Sequence, residues 1–191
     1  YSSIPIINGL TDDEHPCQVL ADLMTIRENK NILEGLKVAF VGDGNNMANS
    51  LMIGCLKVGM NFSIASPKIY SASEKYLSRA KEIAETENVE FTITTSPIEA
   101  VKGADVVITD VWTSMGHEEE AQERIKHFEG FQVNNELLKN ANDDVLVLHC
   151  LPCHRDEEIT SEVLEAHAEE IFDESENRLH AQKAVLVKLM K

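Results

Sequence analysis

The stretch LKVAFVGDGNNMANSLMIGCLKVG, residues 36–59, decides the fold. Its first seven residues are short, apolar and β-branched, and a glycine closes them, which predicts a buried strand. From residue 46 the period changes. Met47, Leu51, Cys55 and Val58 recur at helical spacing, so a helix follows the strand through the polar turn GDGNN. The same alternation continues outward. NFSIAS (61–66) reads as a second strand, and residues 71–88 as an amphipathic helix with Ser71 or Ser73 as N-cap. VEFTITT (89–95) is a third strand, and 96–103 a short helix with Pro97 in its first turn. ADVVITD (104–110) and DVLVLHC (144–150) complete the set of strands, and helices at 14–29 and 176–191 flank it. Strands alternating with helices predict an α/β domain: a doubly wound parallel sheet of about five strands, Rossmann-like in topology, with helices on both faces.

Composition narrows the function classes. With 191 residues and 43% hydrophobic content the chain can bury one sizeable core. Its 17 Lys+Arg stand against 33 Asp+Glu, a net charge of −16, so there is no basic footprint for nucleic acid. The acidic excess falls on helical stretches such as EKYLSRAKEIAETENVE and reads as solvated surface. No basic start leads into a long apolar run, so neither a signal peptide nor a membrane span is expected. The chain opens on Tyr1, which suggests a start within a longer protein. Four cysteines, Cys17, Cys55, Cys150 and Cys153, do not form a disulfide framework and read as the reduced thiols of a cytoplasmic protein.

In an open parallel sheet, ligands bind beyond the carboxyl ends of the strands, near a topological switch point. Three of those ends carry unusual polar residues: GDGNN after the first strand, DVWTSMG after the fourth and HCLPCH after the fifth. GDGNN is not a dinucleotide fingerprint, because Met47 occupies the position of the third small residue and no ribose-binding acid follows the second strand. It does place two amides, Asn45 and Asn46, at a helix N-terminus. One can cap the helix; the other can meet a ligand carboxylate, which the helix dipole favours. Asp110 at a strand end can bind an amine, or simply cap a turn. Trp112 is expected to pack. HCLPCH offers His149, Cys150, Cys153 and His154 as possible soft ligands, but six contiguous residues stiffened by Pro152 rarely wrap one tetrahedral ion. No metal or organic cofactor is expected.

HPCQ (15–18), GDGNN (42–46), DVWTSMG (110–116), HCLP (149–152) and ENRLHAQKAVL (176–186) occur in an order and spacing that resemble the ornithine carbamoyltransferases. The resemblance runs over nearly the whole chain, and SMG with NRLHAQKA points to the ornithine branch of that superfamily. It implies attack by the δ-amino group of L-ornithine on the carbonyl carbon of carbamoyl phosphate, releasing phosphate and giving citrulline. By the family's pattern Asn46, Asp110, Ser114 and Met115 hold the amino-acid end of ornithine, with Asn46 on its carboxylate and Asp110 on its α-ammonium. His15 and Gln18 hydrogen-bond the carbamoyl group, and Cys150, the Leu151 carbonyl and Arg178 complete the reacting centre. Catalytic roles thus fall on Asp110, Cys150, His15 and Arg178. An Asp110–Cys150 pair can orient the attacking amine or receive its proton. Donors such as His15 and Arg178 stabilise the charge that grows on the carbamoyl oxygen.

The resemblance also implies what is not here. The family's carbamoyl-phosphate domain grips phosphate with a Ser-Thr-Arg-Thr loop; this chain has no such motif, and of its five arginines only Arg178 stands in a substrate motif. The expectation is therefore an ornithine-binding domain at 35–175, framed by an inter-domain segment at 1–34 and an inter-domain helix at 176–191. The intact protein is expected to be a homotrimer or a multiple of it, and the isolated chain nearly inactive. Val19, Leu20 and Leu23 on the first helix, and Ala184, Leu186 and Leu189 on the last, are expected to stay partly exposed. Residues 117–130, with the SMG loop before them, read either as a lid that closes on substrate or as an ordinary solvated loop and helix. The competing reading is a stand-alone amino-acid-binding or partner-binding module without transferase activity.

Overall fold

The structure, a computed structural model, describes residues 2–113 and 121–190. Five strands, β1 (Lys37–Val41), β2 (Asn61–Ala65), β3 (Phe91–Thr94), β4 (Val106–Thr109) and β5 (Leu146–His149), pair in parallel in the order β3-β2-β1-β4-β5. Phe40 sits at the centre of the register, opposite Ile64 on one side and Ile108 on the other. The chain therefore winds outward from β1 to β3, returns, and winds outward again through β4 and β5. The loops leaving β1 and β4 part in opposite directions, and a crevice opens between them.

Strand parity builds the two halves of the core. Val38, Phe40, Phe62, Ile64, Ile108 and Leu148 face one side, where α1 (Pro16–Lys30), α2 (Asn46–Lys57) and α3 (Glu74–Glu87) cover them. Ala39, Val41, Ala65, Val107 and Val147 face the other, beneath α4 (Pro97–Val101), Phe128 just after α5 (Ala121–His127), Leu137 of α6 (Asn135–Leu138) and Val163 of α7 (Ser161–Ala166). Because both faces are buried, the strands read as continuous apolar runs rather than as alternating ones. Each large side chain so buried contributes roughly 1.5–3 kcal/mol.

Local chemistry sets the helix ends. Asn45 caps α2, its side chain accepting from the Met47 and Ala48 amides. Pro16 opens α1, and Asn31 closes it in the left-handed region at φ 61°. Of the two serines expected to cap α3, Ser73 holds the position, without a side-chain bond.

Two expectations need correction. The last helix, α8, runs Ala168–Leu189, eight residues longer at its start than the sequence reading. Its buried positions in that first half are Ile171, Glu174 and Asn177, two of them polar, so the apolar period does not announce the helix. Val19 and Leu23 are not exposed. Both pack into the core against α2, where Gly54 lets the helices close, whereas Leu20, Ala184, Leu186 and Leu189 remain exposed as expected. A Cβ at Gly54 would lie 2.4 Å from Val19 Cγ1. Gly54→Ala is therefore expected to lower stability in urea by about 1–3 kcal/mol. Most of that loss should disappear in a Val19→Ala background, which removes the opposing methyl. Simple additivity of the two substitutions would show that the contact does not limit the packing.

Candidate functional site

A cavity of about 570 Å³ lies beyond the carboxyl ends of β1, β4 and β5, at the switch point. Six separate stretches wall it. The strap before α1 gives Leu10, Thr11, Asp12 and His15; the β1–α2 turn gives Asp43 and Asn45–Met47. The end of β4 gives Asp110, Val111 and Thr113, and α5 gives Arg124 and Ile125. The segment after β5 gives Cys150–Pro152, His154 and Glu157, and α8 gives Arg178.

Asp110 is 7% exposed and fully engaged. Its Oδ2 accepts from Asn45 Nδ2 at 2.8 Å; its Oδ1 accepts from the Val111 amide at 2.8 Å and from Cys150 Sγ at 3.3 Å. The residue that caps α2 thus also orients the carboxylate at the end of β4. Asn46, the second amide of the pair, lines the cavity, donates to the Thr11 carbonyl at 2.8 Å, and accepts from Met47 N. Together with Asn49, which donates to the Asp13 carbonyl, and Ser50, which accepts from His15 N, it ties the strap to the first turn of α2.

Cys150 is partly exposed as a residue, yet burial of its thiol pushes its pKa well above the usual value. The negative field of Asp110, Glu174 and Asp22 adds to that shift. The sulfur therefore keeps its hydrogen and acts as a donor to Asp110. Iodoacetamide at pH 8 is accordingly expected to alkylate Cys150 far more slowly than a free thiol. Peptide mass spectrometry against time reads this directly; alkylation at the rate of glutathione would contradict it.

His15 is 7% exposed, and burial, followed by the neighbouring Arg178 charge, lowers its pKa below the ordinary imidazole value. It is a neutral ring near pH 7. Arg178 Nη1 donates to Gln18 Oε1, while its Nε is buried without a hydrogen-bond partner among the described residues. A donor left in that state at a cavity wall is what a polar ligand satisfies. Gln18 itself is 1% exposed and does not line the cavity. Its amide nitrogen donates to Asp22 Oδ1 at 2.8 Å and Glu174 Oε1 at 2.9 Å, so it reaches the cavity through Arg178. Leu151, at φ 51°, lines the wall beside Cys150. Ser114 and Met115 lie outside the described residues.

HCLPCH does not converge on an ion. His149 Nδ1 accepts from the Leu151 amide at 3.0 Å, so Nε2 carries the hydrogen that Glu158 Oε1 receives, also at 3.0 Å. Among the described residues, the side chains close enough to share a metal are His154, Glu157 and Glu158, and neither cysteine is one of them.

Several residues of the site had no motif to announce them. Arg124 reaches back from α5, pairs with Asp43, donates to the Trp112 carbonyl, and lies 4.2 Å from the Tyr70 ring centroid. Trp112 stacks on Phe128 with ring centroids 5.4 Å apart, the packing role expected of it. Arg124 and Phe128 are both buried, so the described part of that segment, residues 121–130, is anchored in the second core. The only advance signal was their spacing of four, a cation and an aromatic ring on one helix face.

Fold and cavity together define an α/β domain whose ligand crevice lies at the switch point of a doubly wound sheet. Comparison with known families narrows the class. The chain belongs to the aspartate/ornithine carbamoyltransferase family: the model of its Asp/Orn binding domain matches residues 34–189, and that of its carbamoyl-P binding domain matches residues 1–28. Ornithine carbamoyltransferase of Gloeobacter violaceus is 56% identical over 190 residues, covering 100% of this chain and 61% of the relative. The Bacillus subtilis enzyme is 54% identical, with 97% and 58% covered. Among solved structures, ornithine carbamoyltransferase from Gloeobacter violaceus superposes with a TM-score of 0.92 at 52% identity, covering 100% of this chain and 64% of that one. The Pyrococcus furiosus enzyme gives 0.91 at 50%, covering 97% and 59%. The chain thus spans about 61% of the length of the first of these relatives. Among the described residues no helix is long and apolar enough to cross a membrane.

Proposed function

We propose that this chain supplies the ornithine side of a carbamoyl-transfer site, in which the δ-amine of L-ornithine displaces phosphate from carbamoyl phosphate to give citrulline. The observation that carries the reading is the meeting of Asp110, Cys150, His15 and Arg178 around one cavity, from four distant parts of the chain. Asp110, already oriented by Asn45, Val111 and Cys150, receives the α-ammonium of ornithine. Asn46 and the N-terminus of α2 face its carboxylate, with Ser114 and Met115 completing that end of the ligand. The δ-amine must lose a proton before it attacks. A thiol whose pKa is raised by burial does not take that proton, so Cys150 orients Asp110 rather than serving as base. As nitrogen bonds to the carbonyl carbon, negative charge develops on the carbamoyl oxygen. His15 and Arg178 are the donors available to it, and Gln18 steadies Arg178 from behind. Collapse of the intermediate then releases phosphate.

On this reading carbamoyl phosphate is held jointly with a carbamoyl-phosphate domain. Residues 35–175 are the amino-acid half, while residues 1–34 and 176–191 join the two halves. The intact protein is a cytoplasmic homotrimer, or a multiple of one, in arginine metabolism, and the 191-residue chain alone has little transferase activity. Calorimetric titration of the chain with L-ornithine is expected to give a saturable isotherm with one site, and no heat with L-aspartate. Equal binding of the two amino acids would overturn the assignment of substrate.

A further inference from the structure

Behind the cavity wall, out of contact with the cavity itself, lie two buried carboxyl groups that the proposed reaction does not use. Asp22 of α1 is fully buried and Glu174 of α8 is 1% exposed, and each accepts from the same atom, Gln18 Nε2, at 2.8 and 2.9 Å. Two acidic side chains within reach of one nitrogen, away from water, cannot both carry charge without a severe penalty. The stable arrangement is one proton between them, donated by one carboxyl to the other, with a single negative charge spread over the pair. Glu174 has a second anchor: its Oε2 accepts from the His149 amide at 2.9 Å, which fixes it to the end of β5. The pair therefore stands where α1, α8 and β5 meet, and among the described residues Gln18 links it by hydrogen bonds to the cavity wall, its carbonyl taking Arg178 Nη1.

We propose that Asp22 and Glu174 are positioning residues for Arg178: sharing one proton, they clamp the Gln18 amide so that its carbonyl faces the guanidinium, and they supply the buried counter-charge that holds it at the cavity wall. The clamp has one sense only. Gln18 must direct NH₂ toward the acids, so its oxygen must turn toward Arg178; flipping the amide would place oxygen against two acceptors. This inference rests on the reading of Arg178 as a substrate donor for its significance, but not for its test.

The charged and titratable groups facing the pair are Arg178 from α8, Cys55 from α2 and Cys150 from beyond β5. Both cysteines keep their hydrogens, because burial raises their pKa values. Burial raises both carboxyl groups, Asp22 to about 6 and Glu174 well above its usual range, so near pH 7 the pair holds one proton and one negative charge between them. Below pH 6 the pair takes a second proton, and Arg178 loses its counter-charge.

The test follows the Nε–H resonance of Arg178 by NMR in the 191-residue chain, assigned by its loss in Arg178→Lys. In the wild type the signal should be distinct from those of surface arginines at pH 7 and should move on acidification with a midpoint near 6. In Asp22→Ala and Glu174→Ala its exchange with water at pH 7 should be at least tenfold faster. Asp22→Asn should rescue it at pH 7: the new amide donates to Glu174, keeping one bridging hydrogen and one charge. An Arg178 signal unmoved in folded alanine variants would overturn the proposal. So would an Asp22→Asn variant that behaves like Asp22→Ala. Should the alanine variants fail to fold, the asparagine variant and the wild-type titration decide, a flat wild-type response being fatal. Failure to bind ornithine alongside the expected Arg178 behaviour would remove the proposed function and leave the carboxyl clamp standing.

Discussion

Gly44→Ala is expected to destabilise the chain by about 3 kcal/mol and to lower its melting temperature by roughly 10 °C for a domain of this size. The cause is distance rather than backbone conformation. A Cβ at Gly44 would fall 2.0 Å from Ala72 N and 2.4 Å from the Ser71 carbonyl carbon, both main-chain atoms that cannot rotate aside. The Gly44 amide also donates to the Tyr70 carbonyl at 2.8 Å, which holds the β1–α2 turn against the segment after β2. To admit one methyl group, that contact must open and the turn must lift. Asn45 is the next residue, and its side chain both caps α2 and orients Asp110, so ornithine affinity should fall at least tenfold with stability. Gly9→Ala is the control, since no atom lies within 4 Å of its added carbon. Thermal melts of the two variants decide the matter; a Gly44→Ala chain that melts with the wild type would remove the close approach as a constraint.

Asp110→Asn should weaken ornithine binding about 100-fold, close to 2.7 kcal/mol. Loss of charge toward an ammonium accounts for part of this. Hydrogen bonding accounts for the rest. Every group on the Asp110 carboxylate is a donor: Asn45 Nδ2 on one oxygen, the Val111 amide and the Cys150 thiol on the other. An asparagine must turn its NH₂ toward one of those sides, setting donor against donor in either orientation. The variant is therefore not a simple neutral copy, and calorimetry and melting should both register it. Affinity within threefold of wild type would place the α-ammonium elsewhere.

The parts of the molecule that were legible in the sequence share a physical reason. β1 and β4 are buried on both faces, so their composition alone marked them, and the polar residues that follow them could only be turns at the edge of the sheet. The start of α8 was hidden because Glu174 and Asn177 occupy buried positions that the helical period assigns to apolar side chains. Asp22 was hidden for the same reason: a carboxylate in ADLMTIREN looks solvated until Glu174, 152 positions later, is brought beside it. Motif resemblance located Gln18 as a site residue, but its orientation toward two acids and an arginine depends on α8 crossing α1, which no local pattern expresses. Arg124 was passed over within a polar run for want of its partner, Asp43, 81 positions away.

The cavity draws its walls from residues as far apart as Leu10 and Arg178. No two neighbouring segments make even half of it, so an unfolded chain retains nothing that resembles the site. Occupancy and folding then become a single linked equilibrium. Any ligand that fits the crevice binds only the native state, and at a hundred times its dissociation constant it would add about 2.7 kcal/mol to the free energy of unfolding. For a chain of ordinary marginal stability, that is a sizeable fraction of the whole. The ligand acts here as the last structural element of the domain, a non-covalent brace across six segments, and the melting curve of the chain doubles as a gauge of what it has bound.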